Sequence, residues 1–252
     1  MPIYERPTKS LMGDWAKKHL SPGQTLNKAA AVHWFAEQYP KIKRNTVNMH
    51  VEGMSVNNRN RRHHQNIKPG SGHDLFYKLG PNQFRLWAPD SDPPPLYKDD
   101  IEKQVAGETL PTEGEPEEEC SVEAAREFAF ERDLRNYLVK NLSLIEPGLR
   151  LYEEEGITGV EFDAGGRFID ILAIDQDGRY VVVELKVSRG YDRVVGQLLR
   201  YMTWVEQNME PSQPVRGVIV ANEITADLKL ACSRVPDVRL IEYEIAFKLR
   251  PI

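Results

Sequence analysis

Two apolar runs separated by a short turn constrain this chain more than any other feature. RFIDILAID occupies Arg167–Asp175 and RYVVVELKV occupies Arg179–Val187, with Asp177-Gly178 between them. Their length, their β-branched content and the Asp-Gly turn predict two strands paired as a hairpin. Each run carries charge where a buried strand should carry none: Asp170 in the first, Glu184 and Lys186 in the second. Side chains alternate along a strand, so Glu184 and Lys186 share one face while Leu185 takes the other. Hairpin pairing brings Asp170 beside that face. Charges buried in an apolar strand pair cost several kcal/mol each unless they are paired or hold a metal.

The rest of the chain surrounds this hairpin with helices. Glu123–Asn141 reads as a long amphipathic helix with Phe128, Leu134, Tyr137 and Leu138 facing inward. Leu149–Phe162 supplies a strand, Tyr191–Gln207 a helix, Val215–Ala221 a buried strand, Thr225–Ser233 a helix and Val238–Ile245 a last strand. The order α-β-β-β-α-β-α-β predicts an α/β domain, a mixed sheet with helices on its faces. Upstream, Leu11–His19, Leu26–Gln38 and Asn45–Ser55 read as helices, the last two joined by the short loop YPKIKR. Asp74–Leu79 and Gln83–Trp87 read as strands around Gly80-Pro81-Asn82. Three helices and a β-hairpin make a small winged-helix pattern.

Charge divides the chain in the same places. Residues 1–87 hold 14 Lys/Arg against 5 Asp/Glu, residues 88–123 hold 2 against 12, and residues 124–252 hold 17 against 21. The expected organisation is therefore a basic domain at 1–87, an acidic Pro-rich linker at 88–122 and a near-neutral domain at 123–252. The linker, with PDSDPPPLYKDD and TLPTEGEPEEEC, has too few apolar residues to offset the entropy of ordering. A short helix near Lys98–Val105 is the exception expected within it. The acidic stretch is read as a solvated tether, with competition against nucleic acid on the basic domain as the alternative.

Several classes are excluded. No apolar run approaches the roughly 18–20 residues of a membrane helix, and MPIYERPTKS lacks the apolar stretch of a signal peptide. A cytoplasmic location is expected. Cys120 and Cys232 form no CxxC pair and read as free thiols. All six histidines lie in the first 73 residues, which excludes histidine chemistry in the C-terminal half. His63-His64 has no acidic or cysteine partner nearby and does not read as a metal pair.

Two converging carboxylates with oxygen donors suit Mg²⁺ or Mn²⁺. Such an ion polarises a phosphate oxygen and lowers the pKa of a bound water. Lys186 can position or deprotonate that water, or offset charge developing on the phosphate. The competing reading is a buried Glu184–Lys186 salt bridge or a strand with one wet face, since E-x-K alone is a common triplet. The preceding valines, the Asp on the neighbouring strand and the helix that follows favour phosphodiester hydrolysis.

The stretch GGRFIDILAIDQDGRYVVVELK resembles the PD-(D/E)XK nuclease superfamily, and within it the NucS branch of RecB-like endonucleases. Gly166-Arg167-Phe168-Ile169-Asp170, Asp175…Gly178, Val183-Glu184-Leu185-Lys186 and Gln197…Tyr201 match that branch's motifs, and Glu131, Asp133, Leu134, Leu138 and Asn141 match its leading helix. The resemblance covers about residues 127–210, with one extra residue in the approach to Asp170. It implies a restriction-endonuclease-like fold, Asp170 and Glu184 as metal ligands, and Lys186 as the catalytic lysine. Gln197, Tyr201 and Glu131 would complete the site. Packing is the plain alternative for Gln197 and Tyr201, and Glu127 competes with Glu131.

In a helix-turn-helix the second helix enters the major groove. That helix would present Arg44, Asn45 and Asn48, with His50 a further candidate, while Arg59, Arg61 and Arg62 clamp phosphates. MSVNNRNRRHHQN…DLFYKLGPNQFRLW also resembles a winged-helix-like domain found beside restriction-type nucleases. The combined expectation is a Mg²⁺-dependent endodeoxyribonuclease, working as a homodimer if it cuts both strands. Restriction-type defence is favoured over mismatch repair, because the N-terminal half does not read like the DNA-binding domain of NucS proteins. A DNA-binding regulator with an inert nuclease fold and a nuclease acting on RNA are the alternatives.

Overall fold

The computed structural model describes residues 3–64, 66–101, 122–186 and 192–245. The chain forms two units. The first holds the N-terminal residues together with 153–158 and 208–210; the second holds the chain from the acidic segment to Tyr152, then Gly159–Gln207, then Pro211 onward.

In the first unit, α1 spans Thr8–His19, β1 Leu26–Asn27, α2 Lys28–Gln38 and α3 Arg44–Gly53, followed by β2 at Phe76–Gly80 and β3 at Gln83–Leu86. Leu26, expected to open a helix, instead pairs with Phe84 in a strand order β1-β3-β2. Asn27 then caps α2 by accepting the Ala29 N–H at 2.9 Å. Met12, Trp15, Ala31, Phe35, Val47, Val51, Phe76 and Phe84 form the core between the helices and this sheet. The winged-helix expectation stands.

The expected tether does not begin at residue 88. The Arg85 guanidinium is bidentate to Asp92, the Leu96 N–H donates to Val56 O at 2.8 Å, and Ile101 is fully buried. Leu96, Tyr97 and Ile101 are the apolar anchors hidden in an acidic, proline-rich composition. A helical turn occupies 98–101. The rest of that expected helix, TLPTEGEPEEEC and Cys120 lie outside the described residues.

In the second unit, α4 spans Val122–Lys140 and β4 Arg150–Leu151. The pair β5 (Glu153–Glu154) and β6 (Ile157–Thr158) belongs to the first unit. Then follow β7 (Val160–Asp163), β8 (Phe168–Ile174), β9 (Tyr180–Lys186), α5 (Asp192–Asn208), β10 (Arg216–Ala221), α6 (Ala226–Cys232) and β11 (Val238–Glu242). The sheet runs β11-β10-β9-β8-β4, with β7 also on β8. Strands β8 and β9 are antiparallel, whereas β9, β10 and β11 are parallel. This is the mixed sheet flanked by helices expected of a restriction-endonuclease-like domain.

The sheet has two different faces. Leu134 and Leu138 of α4 pack with Ile171, Val183, Leu185, Val218 and Val220 on one. Tyr137, expected inward, is 57% exposed, because it falls beside rather than on the Leu134–Leu138 stripe. On the other face α5 lies tight against β10: a Cβ on Gly217 would meet Met202 Sδ at 2.7 Å and Leu198 Cδ2 at 2.8 Å. Glu184 pairs with Ile219 across β9 and β10, two residues along from Gly217, and so shares the α5 face.

Two turns fix β8 and β9. Asp175 Oδ1 accepts the N–H groups of Asp177 and Arg179 at 3.0 and 2.9 Å, and Gly178 supplies the left-handed φ of 83°. Asp175 Oδ2 also holds Arg216, which grips Glu146. The expected single strand over Leu149–Phe162 is interrupted instead. Tyr152 N–H donates to Leu172 O and Leu172 N–H to Gly159 O, so the excursion 153–158 is stitched at its base to β8. Only glycine fits there, since a Cβ on Gly159 would lie 1.9 Å from Leu172 O.

Candidate active site

Backbone pairing of β8 with β9 runs from Ile174–Tyr180 to Ile171–Val183. One step further, the Asp170 side chain replaces the ladder: its Oδ2 accepts the Leu185 N–H at 2.8 Å. That bond places the carboxylate beside Glu184. Glu184 is 4% exposed, and its Oε2 has no hydrogen-bond partner among the described residues. Lys186, half-buried, follows on the same face at the end of β9.

The electrostatics are those of a crowded carboxylate cluster. Burial, then the nearby Glu131 charge, pushes Asp170 up to about 7, against the pull of the Leu185 N–H. Burial, then Asp170 and Glu131, holds Glu184 well above the ordinary carboxylate range, and Lys186 opposes the rise. The Glu131 charge on α4 thus raises both carboxylates. Tyr201 is 5% exposed, and the Gln197 amide donates to its hydroxyl at 3.4 Å. Burial and the Glu184 charge push that hydroxyl up to about 12. The structure thus brings together Asp170, Glu184, Lys186, Tyr201, Gln197 and Glu131.

Sequence reasoning missed Arg135 and Glu161. Arg135, one turn after Glu131 on α4, is 7% exposed and pairs with Glu161 at 3.0 Å. Its charge pulls Asp170 down. Glu161 holds a φ of 46°, a left-handed conformation rarely kept by a residue of this type. The legible signal was the one-turn spacing of Glu131 and Arg135.

Among the described residues no set of three His, Cys, Asp or Glu side chains is gathered closely enough to hold a metal by itself. Two carboxylates, one with an orphaned buried oxygen, fit Mg²⁺, which usually takes one or two protein carboxylates and fills its shell with water and phosphate.

The pH dependence follows from the raised carboxyls. A carboxyl raised above its unfolded value binds protons in the folded state that the unfolded chain has released, so stability falls as pH rises from about 4 toward about 7. In EDTA, the stability advantage of Asp170→Asn over the wild type should widen between about pH 5 and pH 8 in denaturant titrations. A constant difference across that range overturns the assignment.

Residues 130–244 match the family described as the endonuclease NucS C-terminal domain. Over these residues the C-terminal half is similar to the NucS C-terminal domain family. Outside that match, residues 7–86 match a family described only as a domain of unknown function (DUF7669). Endonuclease NucS of Methanopyrus kandleri is 32% identical over 117 residues, 46% of this chain and 41% of that protein. Endonuclease NucS of Bifidobacterium animalis subsp. lactis is 35% identical over 121 residues, 47% of this chain and 48% of that protein. A solved structure described as a repair endonuclease from Pyrococcus abyssi aligns with a TM-score of 0.38 and 25% identity, over 51% of this chain and 50% of that one. The chain spans about half the length of these relatives. No helix among the described residues is long and apolar enough to cross a membrane.

The N-terminal candidates separate. Arg44 and Arg59 are exposed, and Asn48 and Arg62 are half-buried. Asn45 and His50 are corrections. Asn45 is 5% exposed because it shares a helix face with buried Met49, and His50, 6% exposed, has its ring Nδ1 hydrogen-bonded to the Thr46 carbonyl. Arg61 is also a correction. It is 1% exposed, paired to Asp74, with its guanidinium 5.4 Å from the Tyr97 ring. Buried cations need partners, and Arg61 has taken its own inside the fold.

Proposed function

We propose that this chain is a Mg²⁺-dependent DNA endonuclease. The observation that carries it is the convergence of Asp170, Glu184 and Lys186 at the end of β8 and β9, with Glu184 Oε2 left without a hydrogen-bond partner among the described residues. Asp170 and Glu184 would hold the ion, which supplies Lewis-acid polarisation of the phosphate and a more acidic water. Lys186 orients the attacking water and offsets charge developing on the phosphate. Tyr201, kept protonated by its surroundings, is a hydrogen-bond donor at neutral pH, and Gln197 holds its hydroxyl.

The relatives matched over this half are NucS endonucleases. On that similarity we infer repair of mispaired DNA in place of the restriction expected from the sequence. Two copies would cut both strands, one site per strand. The test is incubation of the full chain with matched, mismatched and methylated duplexes in Mg²⁺ or EDTA. Cleavage confined to Mg²⁺ and favouring a mismatch is the expected result. Absence of metal-dependent cleavage on every duplex overturns the nuclease reading, and preference for unmethylated matched sites restores restriction.

A further inference from the structure

The excursion 153–158 ends in a two-residue turn whose residues both have left-handed φ, 48° at Glu155 and 87° at Gly156. Such turns favour Asn or Gly at the first position, and glutamate there is strained. Its carboxylate accounts for the choice. Glu155 Oε1 accepts the Ile3 N–H at 2.7 Å, and Oε2 accepts the Thr8 N–H at 2.6 Å. Thr8 opens α1, whose preceding residue Pro7 offers no side-chain cap. The neighbouring Glu154 Oε2 accepts the Thr46 hydroxyl at 3.0 Å, in the first turn of α3. Met49, His50 and Gly53 of α3 line one small cavity with Glu155, Gly156 and Ile157. A Cβ on Gly156 would lie 2.2 Å from Asn66 Nδ2, so the turn is closely seated.

Helix-turn-helix domains hold DNA phosphates with this kind of donor: backbone N–H groups at helix N-termini and Ser or Thr hydroxyls. Here carboxylates of the same chain occupy them. We propose that the Glu154-Glu155 turn is an internal competitor of duplex DNA, seated on the α3 face of the winged-helix unit in place of backbone phosphates. The face is thus an anion-binding surface, and nucleic acid gains it only by displacing the turn. The inference rests on the reading of the chain as a DNA-acting protein.

The test measures duplex affinity of the full chain in EDTA, where nothing is cut. Glu154→Gln combined with Glu155→Gln removes both charges and leaves one acceptor oxygen at each position, so one of the two N–H groups held by Glu155, Ile3 or Thr8, loses its acceptor. Glu153 is exposed, so Glu153→Gln changes charge one residue away and controls for long-range repulsion. The double variant should tighten Kd by about tenfold, Glu154→Gln alone by less, and Glu153→Gln by less than twofold. A double variant no tighter than Glu153→Gln overturns the proposal. If the double variant melts early, Glu154→Gln against Glu153→Gln decides in the same way. Competition seen in EDTA without any Mg²⁺-dependent cleavage would leave this inference standing and the nuclease reading fallen.

Discussion

On the proposed nuclease reading, Asp170→Asn should lower Mg²⁺-dependent cleavage by about a thousandfold or more, on the order of 4 kcal/mol of transition-state stabilisation. Asparagine keeps an oxygen for the Leu185 N–H, so the lock between β8 and β9 survives and the charge alone is lost. A neutral side chain binds Mg²⁺ weakly, and the remaining carboxylate, Glu184, cannot hold the ion and aim it at once. Glu184→Gln should behave alike. Lys186→Met should spare metal binding and cut turnover, because its amine acts on water and phosphate. Single-turnover cleavage with protein in excess measures all three. Activity within tenfold of wild type in Asp170→Asn removes it from the site.

Arg61→Ala destabilises the first unit by about 3–5 kcal/mol, the usual cost of breaking a buried ion pair from one side. Asp74 would lose its cation while keeping the Tyr97 hydroxyl, which donates to it at 2.7 Å. The emptied volume lies beneath Tyr97, on the segment that follows β3. By contrast, Arg44→Ala and Arg59→Ala at exposed positions should stay within about 0.5 kcal/mol. Denaturant midpoints separate the cases, and a loss below about 1 kcal/mol for Arg61→Ala contradicts the buried-pair account.

The parts of this protein governed by local periodicity were legible in its sequence. Strands β8 and β9 read directly from alternation and the Asp-Gly turn, and Glu184 with Lys186 followed from strand parity. The Asp175 turn, the three N-terminal helices and the wing followed in the same way. What escaped depends on packing over long sequence separations. Asn45 and Arg61 are polar residue types on a basic surface by composition, and only the fold shows that neighbours cover them. Arg135 looks like an exposed helix charge until β7 brings Glu161 to it. The stretch Tyr152–Gly159 reads as one strand, yet Leu172 accepts and donates to its two ends and leaves the middle to leave the sheet.

Ile101 carries a last consequence. Composition places a border after Trp87, where basic gives way to acidic. Packing places it at least ten residues later, because Asp92, Leu96 and Tyr97 are bonded to the winged-helix unit, and Ile101 beyond them is already buried. A fragment cut at the compositional border would leave Arg85 without its carboxylate, Asp74 without its phenol and an apolar seat open to water. The shortest self-sufficient piece of this half therefore carries the start of the acidic segment with it, and acidity here is no guide to where one folded body stops.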